Sequence, residues 1–426
     1  MTQTETLKKE FAEHKYDALL TDIYIDKAKL AYQTDRYIRA VSAYEDAFGA
    51  GEVSIYSAPG RSEIGGNHTD HQHGEVLASS INNDAIAIVS VISEPKVRVI
   101  SDGYSLITIP LDSLARSASE EGTTTALIKG VLAGLQERGY NLGGFQAYIT
   151  SDVLIGAGLS SSAAFETIIG TIVSGLYNHM EISPVEIAII GQYAENVYFG
   201  KPCGLMDQMA CSVGSLVHID FANPQEPVVE RIEFDLDAHG YSLCITDTKG
   251  SHADLTPDYA AIPAEMKQAA ACFGKEFLAE VTAEEVLSGI NLIREKVNDR
   301  AALRALHFVQ ENQRVRQETK ALSEDRFEDF LTTVKASGDS SFKYLQNVYT
   351  NHDVEHQNVS IALAVSDCVL GKNGVSRVHG GGFAGTIQAF VKNEAVSAYK
   401  KQMDAIFGEG SCDILKIRKY GGMLVL

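Results

Sequence analysis

Four short stretches of this chain concentrate residues able to do chemistry. In the first, Arg61, Glu63, Asn67, His68, Asp70, His71 and His73 crowd a tight turn between apolar segments. Such a density of hydrogen-bonding groups suggests a shaped loop for a polar ligand. The histidine spacing matches no closed zinc site, so a solvated polar loop is a better reading than a metal centre. The second stretch runs Gly156, Ala157, Gly158, Leu159, Ser160, Ser161, Ser162 and leads into an amphipathic segment. Glycine lets backbone approach a ligand, and the first N–H groups of a helix lack intrahelical partners. The helix dipole favours an anion at that end, so a phosphate fits there, and a serine hydroxyl can ligate Mg²⁺. The same pattern also suits an ordinary helix cap. In the third, Glu195 precedes a Gly-containing turn and Asp207 follows it, a carboxylate pair suited to Mg²⁺ and acid–base work. Glu195 could equally be a surface residue of its helix. The fourth, Gly380-Gly381-Gly382-Phe383, is a turn facing phosphate or substrate, or a tight strand connection.

The elements that must position these groups follow from periodicity. Residues 1 to about 50 read as helical, with Phe11, Leu19 and Leu20 at helical spacing. Strands are expected from Val53 and over 85–92. Val97–Ile100 and Leu106–Leu111 form a hairpin around Ser101-Asp102-Gly103. A helix over 125–138, a strand over 145–150 and two further helices come next. The first of those places Phe165, Ile168, Ile172 and Leu176 on one face. The second opens on a capping box, Ser183-Pro184-Val185-Glu186. Strands near 215–220, 228–235 and 242–247 precede several helices between 258 and 371. A strand at 386–391, a helix at 394–407 and a final hairpin close the chain. Without strict strand–helix alternation, α+β is favoured over a doubly wound sheet.

The chain has 426 residues and a net charge of −20, with 45% hydrophobic and 22% charged residues. Those proportions belong to a globular protein with a sizeable core, and the length suggests two or three domains. The acidic balance argues against nucleic acid and against anionic membranes as partners. It leaves room for a small anionic ligand at one local site. The N-terminal segment lacks the apolar core of a signal peptide, and no uninterrupted apolar run is long enough for a membrane helix. Six scattered cysteines without a CxxC pair suggest unpaired thiols and a cytoplasmic setting.

Read in order, the four stretches resemble the GHMP kinase superfamily, and within it the galactokinases. Ala58-Pro59-Gly60-Arg61, Gly66, His68-Thr69-Asp70 and Gly74 resemble the galactokinase signature. GLSSSAA (158–164) is similar to the superfamily's ATP loop, CGLMDQ (203–208) to the segment bearing the catalytic aspartate, and GGGF (380–383) to the third conserved motif. The resemblance implies a two-domain α+β GHMP kinase fold with the active site in the interdomain cleft. The domains are expected at 1–221 and 222–426. It implies a sugar 1-kinase phosphorylating the anomeric hydroxyl of galactose or a related sugar. Gly156 to Ser162 would cradle ATP, Ser162 and Glu195 would hold Mg²⁺, and Asp207 beside Arg61 would face the reacting hydroxyl. Asn67, His68, Asp70, Gly204 and Tyr259 would bind the sugar. No P-loop lysine occurs, so metal and helix dipole are expected to neutralise most of the phosphate charge.

Departures from the galactokinase pattern bear on substrate choice. The family has Asn at Glu63, a large aliphatic at Gly65, Glu at Asn67, Tyr at His71 and Pro at Leu154. A neutral Asn67 cannot make the charge-assisted bond of a carboxylate to a C6 hydroxyl. The C6 end of the substrate is therefore expected to differ from plain galactose, as in galacturonate, or to be absent, as in arabinose. The rival readings are a non-catalytic sugar and ATP sensor on the same fold, or a GHMP kinase for a non-sugar alcohol. The retained Arg61, Ser162, Glu195 and Asp207 speak against the first, and the His68-Thr69-Asp70 motif against the second.

Overall fold

The computed structural model describes residues 1–153, 158–251 and 255–426. Its framework is a nine-stranded sheet built on two long strands, Glu52–Gly65 and Glu75–Val91. Side chains alternate between faces along a strand, so a strand covered on both faces must be apolar throughout. That is why 85–89 is an unbroken apolar stretch. Ile86 and Ile88 pack with Val53 and Ile55 under the N-terminal helices Thr4–Ala12, Asp17–Tyr24 and Leu30–Phe48. Ala85, Ala87 and Val89 face the opposite layer, where Ile128, Val131, Ile168 and Ile172 come from helices Thr124–Glu137 and Ser161–Tyr177. Lys96–Ser101 and Ile107–Pro110 form the expected antiparallel hairpin. Lys96–Ser101 also pairs in parallel with Phe145–Ser151.

A second, antiparallel sheet takes the order Gly374–His379, Thr386–Lys392, Tyr241–Asp247, Cys412–Leu415. Helices Asn358–Leu370 and Val396–Phe407 cover one face. The other shares a core with the first sheet, in which Ile64, Leu77 and Ile81 meet Leu243, Ile245 and Phe390 beside Phe327 and Phe330. The mixed, mainly antiparallel arrangement is the α+β class read from the sequence. No helix among the described residues is long and apolar enough to cross a membrane.

Two expectations are corrected. The last two strands do not form a hairpin, because Cys412–Leu415 joins the second sheet and Met423–Leu424 pairs with Glu52–Gly65 in the first. Between them Arg418, fully buried, reaches Asp84 at 2.8 Å, and a buried guanidinium needs such a partner. Asp84 also pairs with Arg36, so one carboxylate ties both chain ends to the first sheet. Past residue 221, Val228–Ile232 pairs with Leu216–Asp220 in the first sheet. At Ser183 half of the capping box forms: its hydroxyl accepts the Glu186 N–H at 3.1 Å, while the Glu186 carboxylate turns to Arg138 at 2.6 Å.

The helix Asp299–Ser323 crosses between the two sheets and carries Glu311 and Glu318 inward, both buried. Glu318 lies where a side chain at residue 65 would stand; a Cβ on Gly65 would fall 1.9 Å from its Oε2. Among the described residues neither Glu318 oxygen has a hydrogen-bond partner, and burial raises its pKa well above the usual carboxyl range. A carboxyl with a raised folded-state pKa costs stability as pH climbs from the unfolded value of about 4.3 toward the folded one. Glu318→Gln should therefore raise the thermal midpoint more at pH 8 than at pH 5, as read by calorimetry. Equal shifts at the two pH values would contradict a buried, protonated Glu318.

Candidate active site

The helix Ser161–Tyr177 starts from a sharply turned segment in which Gly158 and Ser160 both adopt positive φ, 68° and 58°. A serine in the left-handed region is uncommon. Here it turns the Ser160 hydroxyl onto Asp207 and away from its own helix, which therefore has no side-chain cap. Leu159 is buried, and its carbonyl accepts the Arg61 N–H at 3.0 Å, fixing the turn to the strand Glu52–Gly65. Ser161 and Ser162 follow at the open helix terminus. Gly156 and Ala157 lie outside the described residues.

Arg61 and Asp207 form a bidentate pair, Nε to Oδ1 at 2.7 Å and Nη2 to Oδ2 at 2.8 Å. The second Arg61 terminal nitrogen donates to the Gly158 carbonyl. Parallel bonds of this kind join geometric definition to strength. Burial alone would raise Asp207, but the Arg61 charge and the bonds from Arg61 and Ser160 hold its carboxyl below the usual range. Asp207 is thus ionised, at the first turn of the helix Met206–Val213.

Glu195 sits on a π-helical stretch, Ala194–Phe199, that continues the helix Pro184–Tyr193. Such stretches are rare and recur at functional positions. Its Oε1 accepts from Ser162 Oγ at 3.4 Å and from Lys201 Nζ at 3.1 Å. Its Oε2 accepts from Gln208 Nε2 at 2.8 Å, and the same nitrogen lies 3.1 Å from Glu166 Oε2. Burial raises Glu166 well above the usual range, and the neighbouring Glu195 charge adds to this. Ser162 and Glu195 offer hard oxygen donors in a strongly acidic corner, where an ammonium group already rests on the carboxylate. That donor set fits Mg²⁺. Sequence reasoning passed over Glu166, Gln208 and Lys201, although they lie at the end of GLSSSAAFE, beside Asp207, and in the Gly200-Lys201-Pro202 turn.

The loop after Glu52–Gly65 is held from several sides. Backbone N–H groups of Gly66 and Asn67 donate to Glu311 Oε1 at 3.3 and 3.4 Å, and His307 Nε2 lies 2.9 Å from the Asn67 carbonyl. Three successive carbonyls of the triple glycine each receive a side-chain donor from outside the turn: Asn67 Nδ2 to Gly380 at 2.7 Å, His68 Nε2 to Gly381 at 3.1 Å, and Tyr259 Oη to Gly382 at 2.9 Å; Asn347 Nδ2 also reaches Gly381 at 3.3 Å and the Ala384 N–H reaches Gly382 at 2.8 Å. Burial, with His71 nearby, lowers His68 to about 3, so its ring is neutral and its Nε2 is written here as the donor. Burial pushes Tyr259 up to about 12 and keeps it a donor. Gly382 has φ +82° and a Cβ there would fall 1.9 Å from the Asn347 carbonyl, so only glycine fits.

The sequence reading gives Asn67 to the sugar, and the structure shows its side chain engaged by protein partners. Its side chain is wholly buried, donating also to Glu63 Oε1 at 3.0 Å and accepting from Asn347 at 2.8 Å and Ser341 at 3.1 Å. The exchange with the family pattern is reciprocal. Glu63 and Asn67 bond to each other, and Arg377 holds the displaced carboxylate at 2.6 Å. Burial outweighs Arg377 and Arg61 and raises Glu63 to about 7. Gly65 makes room for Glu318. Asp70 does meet Gly204, where a Cβ would stand 2.1 Å from its Oδ2, so Asp70 and the CGLMDQ segment touch only because residue 204 is glycine. His68 and His71 stay together, with ring centres 5.8 Å apart and His71 3.6 Å from Asp70, while His73 turns away and stacks on Phe277 at 3.7 Å.

The architecture and this site define a class, the GHMP kinases. Residues 126–215 match the GHMP kinases N terminal domain, and residues 42–91 the galactokinase galactose-binding signature. A galactokinase of Glaesserella parasuis is 30% identical over 359 residues, covering 84% of this chain and 90% of the relative. A galactokinase of Streptomyces coelicolor is 29% identical, covering 85% and 91%. The structure of Lactococcus lactis galactokinase complexed with galactose superposes with a TM-score of 0.76 at 23% identity, covering 90% of this chain and 98% of that one. Mevalonate kinase of Methanococcus jannaschii shares the fold more distantly, with a TM-score of 0.61 at 16% identity over 86% and 99%. Within the class, this chain belongs to the galactokinase family, and it is a sugar kinase that transfers phosphate to an alcohol group.

The burial of Asn67 generates a test. Asn67→Ala leaves the Gly380 carbonyl and Glu63 short of a donor and should cost about 2–4 kcal/mol in urea unfolding. A residue that merely touches ligand would lose under about 0.5 kcal/mol. A loss in that lower range would place the Asn67 side chain in the cleft.

Proposed function

We propose that the chain transfers the terminal phosphoryl group of ATP to the anomeric hydroxyl of galactose. The observation that carries this reading is the buried Arg61–Asp207 pair, with Ser160 on the same carboxylate and an uncapped helix terminus alongside. Asp207, held ionised, takes the role of the group that accepts or orients the reacting hydroxyl. Phosphoryl transfer rests mostly on positioning and charge neutralisation, so either role suffices. Ser160, Ser161, Ser162 and the N–H groups that open the helix bind the phosphates, with Gly156 to Leu159 as the preceding cradle. Ser162 and Glu195 hold Mg²⁺, which when bound neutralises phosphate charge. Arg61 keeps Asp207 ionised and oriented.

Asp70, braced against Gly204, binds ring hydroxyls, with His68 and Tyr259 at the triple-glycine turn beside it. Asn67 acts on the sugar only through that turn. The case for a substrate altered at C6 rested on an Asn67 facing the ligand, and its burial removes that support. Galactose itself is therefore preferred over galacturonate and arabinose. Six unpaired cysteines favour a reducing, cytoplasmic setting. A non-catalytic sensor would have no need of an ionised Asp207 with two arginine bonds.

Asp207→Asn should lower turnover about 10²–10⁴-fold while nucleotide binding, followed by calorimetry, stays nearly unchanged. Unaltered turnover would remove Asp207 from the chemistry. In a coupled ADP-release assay over galactose, N-acetylgalactosamine, galacturonate and L-arabinose, galactose should lead by about tenfold or more in kcat/KM. A lead for any other sugar would overturn the substrate assignment.

A further inference from the structure

The acidic corner around Glu195 holds one cation whose position the proposed phosphoryl transfer does not explain. Lys201 Nζ lies 3.1 Å from Glu195 Oε1, the oxygen that Ser162 also meets. Most of its side chain is exposed (64%), whereas the Glu195 carboxylate is buried (4%). Lys201 follows Gly200, whose φ is +83°, and its Nζ reaches Glu195 while most of the side chain stays in contact with solvent. Burial opposes its charge, but Glu195 and then Asp207 reinforce it, which puts the ammonium within the field of both carboxylates. Arg61 is differently placed, with three of its N–H groups already committed to Asp207 and the Gly158 carbonyl.

A mobile ammonium on the carboxylate oxygen that would hold the metal competes with that metal. Lysine suits such a role, being a compact point charge on a flexible stem. An ion pair whose ammonium is open to solvent is weak, worth about a factor of three, and a divalent ion bringing its own phosphate ligand displaces it easily. Once released, the ammonium remains tethered beside the metal, where the nearest new negative charge is the phosphate chain.

We propose that Lys201 is a placeholder cation: it holds Glu195 in the nucleotide-free enzyme, yields that oxygen to Mg²⁺, and then turns onto the nucleotide phosphates. It thereby supplies locally the positive charge that a chain of net charge −20 without a P-loop lysine otherwise lacks. The inference rests on the assignment of Glu195 to the metal.

The test uses Lys201→Met and Lys201→Arg with two readouts independent of turnover. Mn²⁺ binding to the nucleotide-free enzyme is followed by electron paramagnetic resonance. Binding of a non-hydrolysable ATP analogue with Mg²⁺ is followed by calorimetry. Lys201→Met should bind Mn²⁺ about threefold more tightly and the analogue with Mg²⁺ about fivefold more weakly, with Lys201→Arg keeping analogue affinity near wild type. Either Lys201→Met quantity staying unchanged, or moving the other way, would overturn the proposal. Glu195→Gln separates this from the underlying assignment. If that variant binds Mn²⁺ as the wild type does, the metal assignment itself fails. If it loses Mn²⁺ while Lys201→Met behaves as wild type, Lys201 alone has been misread.

Discussion

Three consecutive backbone carbonyls govern the geometry of this active site. At Gly380, Gly381 and Gly382 the chain turns between two strands of the second sheet, and the Gly382 carbonyl accepts the Ala384 N–H within the turn. Each is met by a side chain from elsewhere: Asn67, His68 and Tyr259. Leaving a buried acceptor unmet costs about 1–3 kcal/mol, so the three donors together lock the turn. Two of them belong to the loop that follows Glu52–Gly65, and the third to the helix Thr256–Ala271. A turn from one sheet is thus fastened to the loop from the other, and the cleft between them acquires fixed walls. Asp70 sits two residues beyond His68 and meets Gly204, which carries the same constraint on to the Asp207 segment.

Charge follows the same logic of local pairing inside an acidic chain. Buried charges in this fold come with counterparts: Asp207 with Arg61, Glu63 with Arg377, Asp84 with Arg36 and Arg418. Such pairs add little net stability over apolar packing, yet removing one partner is costly. Their value here is therefore positional. Arg61 keeps one carboxylate ionised beside an uncapped helix terminus, so negative and positive ends stand within one small volume despite the overall surplus of acid.

Much of this was legible in the sequence because it depends on local rules. The apolar run 85–89, the 3.6-residue spacing of Ile168 and Ile172, and the order of the four motifs all express nearest-neighbour physics. What escaped depends on contacts hundreds of residues apart. The last strands read as a hairpin because their own pattern is symmetric, and nothing local reveals that Arg418 must reach Asp84. Glu166 and Gln208 look like ordinary helix residues until the fold brings both to Glu195. Gly156 and Ala157 lie outside the described residues, so the cradle they were assigned rests on the motif alone.

Asn67 shows how the partners of a residue bear on the role its type suggests. Loss of a carboxylate at 67 reads, taken singly, as a change in what the loop offers a ligand. Taken with Glu63 it is an exchange of two partners across one hydrogen bond. The carboxylate moves four residues back along the chain to a place where Arg377 can hold it, and the amide moves to a place where both its oxygen and its nitrogen are needed. Gly65 between them completes the adjustment, since Glu318 fills the space an aliphatic would take. Three departures that look independent along the sequence are one rearrangement in the fold, and its centre is the interface between sheets. Recognition of the sugar is left to residues whose side chains still reach the cleft, and the departures set how firmly those residues are held.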